Sequence, residues 1–423
     1  MSREDSRVEM DAVTLPDGVP SPHTLAAAQR RTLWVLAISQ IVGTVGVGVA
    51  PTIGILLAGD VTDSEAWAGV ARTASTLGAA LLGFPLGNLA ARSGRRIALS
   101  SGWFLAAIGA ALLVASAQWS LVVPLFLGLL LIGAGSAVTL QARFAATDLA
   151  TPANHAKSLS LIVWVGTIGM VLGPNLGAVG EWLGRSITLV PFAAAFAIAA
   201  VFLLLAGIVV AAFLRPDPLL LLQQSAPSAT PKTKRQSSIR RVLDELTGNS
   251  SARYALVTIL CAQAVMVAVM TMTPVHLNHH GGSITIIGIT ISLHIVGMYA
   301  FAPLVGIATD RLGHRATIAV GIAILLGSLV VAILVPDSIT WMVVSLFLLG
   351  LGWSFANVAG SALFSATISP ETRAQSQGGV DALANLAGAT AALLSGPILA
   401  ATSFAWLAGI AVVMLVPMIW LTV

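Results

Sequence analysis

The sequence predicts an all-α membrane protein with twelve transmembrane helices arranged as two pseudo-symmetric six-helix bundles. Three observations carry that expectation. Apolar residues fill 57% of the 423 positions and charged ones only 9%, and the mean hydropathy is +0.93, far above that of a water-soluble chain. Apolar runs long enough to cross about 30 Å of hydrocarbon recur twelve times. The two halves also repeat: Gly87-Asn88-Leu89-Ala90-Ala91-Arg92-Ser93-Gly94-Arg95-Arg96 follows the second run, and Gly306-Ile307-Ala308-Thr309-Asp310-Arg311-Leu312-Gly313-His314-Arg315 follows the eighth.

Residues 1–31 are polar, mixed in charge and Pro-containing, without the basic start, apolar core and cleavage site of a signal peptide. They read as a disordered cytoplasmic tail. Spans are expected over 33–58, 67–91, 97–117, 120–147, 158–180 and 188–214, forming an N-terminal bundle over 32–214. Residues 215–252, rich in Ser, Pro, Gln, Lys and Arg, read as a flexible cytoplasmic linker. Within it, Ile239–Leu246 has the pattern of a short basic surface helix. The C-terminal bundle, 253–423, is expected to hold spans over 253–277, 284–309, 316–336, 339–366, 375–397 and 402–422.

Charge sets the topology. One set of gaps holds Arg92, Arg95, Arg96, Lys157, Lys232, Lys234, Arg235, Arg240, Arg241, Arg311, Arg315 and Arg373, whereas the other set holds Arg185 and little else basic. The positive-inside rule then puts both termini in the cytoplasm. It also explains the net charge of +4 without nucleic acid. Cys261 is the single cysteine, which excludes an intramolecular disulfide and a Cys-based metal cluster.

Two residue pairs suggest chemistry. Met266 and Met270 lie four apart on span 7, and His294 and Met298 four apart on span 8, so each pair shares one helix face. Thioether and imidazole are ligands a soft cation such as Cu(I) prefers. Methionine on an apolar helix also serves simply as packing, but a titratable ring among Ile, Leu, Val, Gly and Ala is costly in lipid unless it faces a cavity or partner. At about 1.5 Å per residue from the shared outer end, Met266 and His294 come level near the bilayer centre, with Met270 one turn above and Met298 one turn below. His276, His279 and His280 stand within five residues in the following outer loop, a pattern suited to capturing metal at the entrance or to an ordinary polar loop.

Other polar positions complete the expectation. Gln40, Gln141, Arg143 and Asn385 are placed to face a central cavity, Arg143 and Asp148 to pair near the inner end of span 4, and Arg72 to snorkel to the outer interface. No carboxylate falls at mid-membrane, because Asp148 and Asp381 lie near inner ends; proton coupling through a central acid is not expected.

The repeated gap pattern resembles the cytoplasmic loop signature of the major facilitator superfamily, and the resemblance covers all twelve spans. It implies that fold, and a charged latch at the inward gate involving Asp310, Arg311 and Arg315 in the second copy and Gly87, Arg92, Arg95 and Arg96 in the first, where Ala91 replaces the aspartate. Gly169, Gly173, Pro174 and Gly177 in span 5 resemble a motif of the family's antiporters, and small residues at that spacing also let helices pack closely. The methionine and histidine pairs, with Gly297-Met298-Tyr299, Gly350-Leu351-Gly352-Trp353 and Gln377-Gly378 near Asp381, resemble the CcoA-like subgroup, which includes a copper importer and riboflavin transporters. That resemblance implies Met266, Met270, His294 and Met298 as the copper-handling set. The leading expectation is therefore a copper importer of the bacterial inner membrane, with copper as cargo and no permanently bound cofactor, working as a monomer in the lipid bilayer. The alternative is a transporter of a small organic molecule, riboflavin-like or a drug. No nucleotide-binding loop or other enzymatic motif occurs.

Overall fold

The computed structural model describes residues 22–64, 66–151, 154–225, 249–368 and 373–422. α1 (Pro22–Val47) passes through a π-turn at Ala50–Gly54 into α2 (Ile55–Thr62), and together they make span 1. Pro51 lies in that turn, where its missing N–H would otherwise break a regular helix. α3 (Ala66–Trp119) has 54 residues, which at 1.5 Å each would reach about 80 Å if straight, more than twice the hydrocarbon thickness. Gly94 breaks it, with φ 87° and ψ 170°, and the two segments are spans 2 and 3. α4 (Val122–Ala145) follows as span 4; α5 (His155–Leu172), a 3₁₀ turn at Gly173–Asn175 and α6 (Leu176–Ile187) form span 5; α7 (Pro191–Phe213) is span 6.

A short α8 (Pro218–Ser225) lies against α3 and α1 of the first bundle. The second comprises α9 (Ser250–His279), α10 (Ile284–Tyr299) continued by α11 (Ala302–Leu312), α12 (His314–Leu334), α13 (Ile339–Thr367), α14 (Arg373–Ala401) and α15 (Phe404–Thr422). The described residues thus contain eleven long apolar helical stretches, one of which is double, and twelve spans result. Gly313, between α11 and α12, has φ 84° and ψ 160°, matching Gly94. The two copies of the sequence repeat make the same sharp turn, in a backbone region where an L side chain is strained and glycine is not.

Three corrections to the sequence expectations concern the arginine-rich end of the molecule. Helix begins at Pro22, not near residue 33, because this first stretch docks on the N-terminal bundle: the Gln29 amide donates to the Ala146 carbonyl at 2.8 Å and Arg31 to the Phe213 carbonyl at 3.2 Å. Residues 1–21 of the expected tail lie outside the described residues. Part of the expected linker is helical, as α8; the helix expected at Ile239–Leu246 lies outside the described residues. Asp148 pairs not with Arg143 but with Arg95, accepting from Nε at 2.8 Å and from Nη2 at 3.2 Å.

Asp217 holds the same turn together. Its carboxylate accepts from the backbone N–H of Arg96 at 2.7 Å, Leu219 at 3.0 Å and Leu220 at 3.2 Å, so one side chain caps the helix after Gly94 and the start of α8. Deeper in each bundle, some polar groups are satisfied across helices, as lipid favours. Ser328 and Ser345 exchange hydrogen bonds with each other's carbonyls at 2.7 and 2.9 Å, and Thr44 donates to the Gly166 carbonyl at 2.8 Å. The first bundle centres on the fully buried Trp103 and Phe196.

The turn geometry generates a rank order. Gly94→Ala combines a strained φ with a clash against the Asp217 carboxylate and should cost the most, about 2–3 kcal/mol. Gly313→Ala has the strained φ but open space around it, and should cost about 1 kcal/mol. Gly87→Ala meets neither obstacle and should be neutral. Thermal unfolding of the three purified variants, followed by size exclusion after heating, checks the order.

Candidate substrate site

The two bundles meet through small residues at the end opposite the arginine-rich gaps. There, a Cβ at Gly69 of α3 would strike the Ala392 carbonyl of α14, and Thr73, one turn on, donates to the Ala389 carbonyl at 3.1 Å. Span 5 closes on span 8 in the same way. The Asn175 amide donates to Ser292 Oγ at 2.7 Å, Ser292 Oγ donates to the Val171 carbonyl at 2.6 Å, and a Cβ at Gly288 would come 2.8 Å from the Pro174 carbonyl. Gly177 touches Ile284, while Gly169 and Gly173 of the same motif pack on Thr44 and Gly48 of the first span. The glycine motif of span 5 therefore serves two neighbours at once. Just beyond this seal lies a cavity of about 430 Å³ whose lining includes Ile55, Leu56, Asp60, Asp63, Phe192 and His279.

Behind the seal, charged groups of the two bundles face one another. Arg72 of α3 lies within electrostatic reach of His294 and Tyr299 of α10, and Arg143 of α4 within reach of Tyr299 and of Asp381 on α14. Arg72 thus points between the bundles rather than out to an interface, and Arg143 faces the opposite bundle instead of Asp148. Tyr299 packs edge-on against Trp353 of α13, with ring centroids 5.9 Å apart, and the Trp353 indole donates to Gln263 Oε1 of α9 at 2.9 Å. Gln40 is fully buried, and neither amide atom has a partner among the described residues. Gln141 donates to the Gly83 carbonyl at 3.0 Å, and the Asn385 amide to the Asp381 carbonyl at 2.8 Å. The result is a wall of donors, two guanidinium groups, one carboxylate and two aromatic rings drawn from both bundles.

The soft-ligand candidates sit beside this wall. Met266, Met270 and Met298 are buried in the apolar core of the second bundle, on helix α9, which packs mainly on α14 and α13, and on helix α10, which packs mainly on α13; α9 and α10 touch each other little. His294 is fully buried and turns Nδ1 to the Leu346 carbonyl of α13 at 2.8 Å, with its ring against Gly350. A carbonyl can only accept, so Nδ1 carries the proton. Nε2 has no partner among the described residues. Gln263 shares the helix face of Met266 and Met270, and neither it nor Arg72 stands out in the sequence; only the rarity of an arginine inside an apolar run marks Arg72.

The loop histidines divide. His276 and His280 cluster with Asp337, while His279 turns to the cavity. At the arginine-rich end, Asp310, Arg311 and Arg92 are exposed, and Arg315 lies over the Tyr254 ring, 5.5 Å from its centroid. In the first copy of the loop motif, Arg95 and Arg96 are held by Asp148 and Asp217 as described above.

Comparison with known proteins agrees with this architecture. The profile of the Major Facilitator Superfamily matches residues 33–283 and 254–423. The MFS-type transporter YdeG of Bacillus subtilis (strain 168) is 36% identical over 418 residues, covering 97% of this chain and 96% of its own. The riboflavin transporter RfnT of Brucella anthropi is 26% identical over 358 residues, covering 85% of this chain and 86% of its own. The crystal structure of the nucleoside transporter NupG superposes with a TM-score of 0.71 at 14% identity, over 92% of this chain and 98% of that one.

If the small-residue seal is what closes this end, a bulky side chain there should prop it open. In a Cys261→Ser background, Leu56→Cys places a thiol at a buried position beside the seal. Adding Gly69→Leu should raise maleimide labelling of that cysteine several-fold, and Gly87→Leu, whose Cβ meets nothing, should not.

Proposed function

The chain belongs to the Major Facilitator Superfamily and is a multi-pass membrane protein working as a secondary transporter. From that premise, we propose that its cargo is a small organic molecule presenting an aromatic plane and oxygen acceptors, with riboflavin the first candidate. The observation that carries this reading is the meeting of Arg72 and Arg143 with Tyr299, Trp353 and Asp381 between the bundles, at the repeat interface where carriers of this architecture bind substrate. Guanidinium groups offer forked donors to carbonyl or anionic oxygens and stack on planar rings. The riboflavin relative supports the cargo class. By the positive-inside rule, we place the arginine-rich end in the cytoplasm of a bacterial inner membrane, which makes the sealed end the outer one.

Copper, taken through Met266, Met270, His294 and Met298, is the second reading. One observation favours it: the buried Nε2 of His294 lacks a partner, and a neutral imidazole with Nδ1–H fixed presents its lone pair there. An excess positive charge opposes it, since Arg72 and Arg143 face only one carboxylate, Asp381. Arg72 lies within electrostatic reach of His294 and would repel a cation held there, so it favours an oxygen-rich molecule over Cu(I).

The two readings separate in one uptake experiment with labelled riboflavin and with copper. On the organic reading, Arg72→Ala and Arg143→Ala each lower riboflavin uptake at least tenfold, the loss of a charged hydrogen-bond donor being worth about 1.5–3 kcal/mol, and Met266→Leu and Met270→Leu transport nearly as wild type. Copper uptake abolished by the methionine variants, with riboflavin untouched by expression of the protein, would reverse the assignment.

A further inference from the structure

We propose that the end of α9 carries a divalent transition-metal site, built from His276, His280 and Asp337, that clamps this helix to the turn between α12 and α13. The site stands apart from the bundle interface and does not depend on the cargo. One ligand atom from each of the three side chains lies within 4.8 Å of the others. Two residues come from the last turn of α9 at i, i+4 spacing, which puts both imidazoles on one face, with ring centroids 4.3 Å apart. The third comes from the turn after α12.

The hydrogen bonds around the rings prepare them for a metal. His280 Nδ1 lies 2.9 Å from the His276 carbonyl and His276 Nε2 lies 2.7 Å from the Pro336 carbonyl. Both carbonyls can only accept, so both of those nitrogens carry protons, and in the neutral rings the remaining nitrogens, Nε2 of His280 and Nδ1 of His276, present lone pairs. A backbone carbonyl fixing the tautomer from behind is the usual outer shell of a metal-binding histidine. His276 is further held by stacking on Phe404, with centroids 4.4 Å apart, and Pro336 is the neighbour of the carboxylate ligand itself.

The separation of the donors suits a small cation. His280 Nε2 and Asp337 Oδ1 are 3.0 Å apart, a contact between two electron pairs unless a proton or a cation joins them. Ligands at 2.0–2.1 Å on tetrahedral zinc stand about 3.3 Å from one another, close to this spacing. Two imidazoles and a carboxylate favour Zn²⁺ or another borderline divalent ion, whereas Cu(I) prefers the sulfur ligands found elsewhere in the chain. Asp337 is exposed, leaving a fourth position to water. The same turn of α9 supplies Val275, Asn278 and His279 to the cavity wall opposite Asp60 and Asp63, so an occupied clamp would stiffen that wall.

Zinc titration of the purified full-length protein by calorimetry, with thermal unfolding in parallel, tests the site. One zinc per chain should bind with a dissociation constant in the micromolar range or tighter and raise the melting temperature, as a ligand of the native state must, and Mg²⁺ should do neither. His280→Ala and Asp337→Asn, both at exposed positions and so compatible with folding, should each weaken binding at least tenfold, within the range usual for such sites, while eluting as wild type. His279→Ala should bind zinc as wild type does. The proposal fails if the wild-type protein binds no zinc, if His280→Ala and Asp337→Asn bind it unchanged, or if His279→Ala costs as much as His280→Ala.

Discussion

Everything in this molecule turns on how closely two backbones approach where the bundles touch. In lipid, apolar side chains gain little by facing each other rather than acyl chains, and helix association rests on van der Waals contact and scattered hydrogen bonds. Gly69 against Ala392 and Gly288 against Pro174 supply the first, and Thr73, Asn175 and Ser292 the second. Interhelical hydrogen bonds of this kind are worth about 0.6 kcal/mol each. Such a seal is tight in shape yet weak in energy. That combination suits a carrier whose two ends must close and open in turn around one site, because a bond network worth many kcal/mol would lock the chain in one state.

The fold was largely legible because its determinants are local. Hydropathy over a window of about twenty residues finds a span wherever it lies, and Gly94 and Gly313 announce a shared turn because their φ strains any L side chain. Boundaries set by contacts distant in sequence were not legible. Residues 22–31 look like the end of a polar tail, and only the acceptors at Ala146 and Phe213 make them the start of a helix.

The site was read less well, for the same reason. Met266, Met270, His294 and Met298 drew attention through their chemistry, but helical spacing says which residues share a face and not which neighbour that face meets; His294 meets Leu346 of α13. Arg72 and Arg143 have partners some 150 to 240 positions away in the other bundle, and no periodicity within one helix reports them. Arg143 and Asp148 are five residues apart and of opposite charge, which makes them an obvious pair on paper; Arg95, arriving from the turn at Gly94, takes the carboxylate instead. The i, i+4 rule held within helices and was silent between them.

The charge imbalance between the bundles links the site to the motion. Two guanidinium groups face a single carboxylate there, and closing the arginine-rich end around them without cargo would strip water from a net positive charge, at a cost of several kcal/mol per ion. In the conformation seen, small residues of the two bundles meet at the far end. A cargo bearing oxygen acceptors or negative charge replaces the lost hydration and lowers the cost of closing. An equilibrium between two states moves only as far as a ligand's differential affinity for them allows, and on the proposed reading the desolvation of Arg72 and Arg143 supplies that difference. On that reading the weak seal at one end and the positive charge behind it are two parts of one device: the first keeps the states close in energy, and the second lets the cargo choose between them.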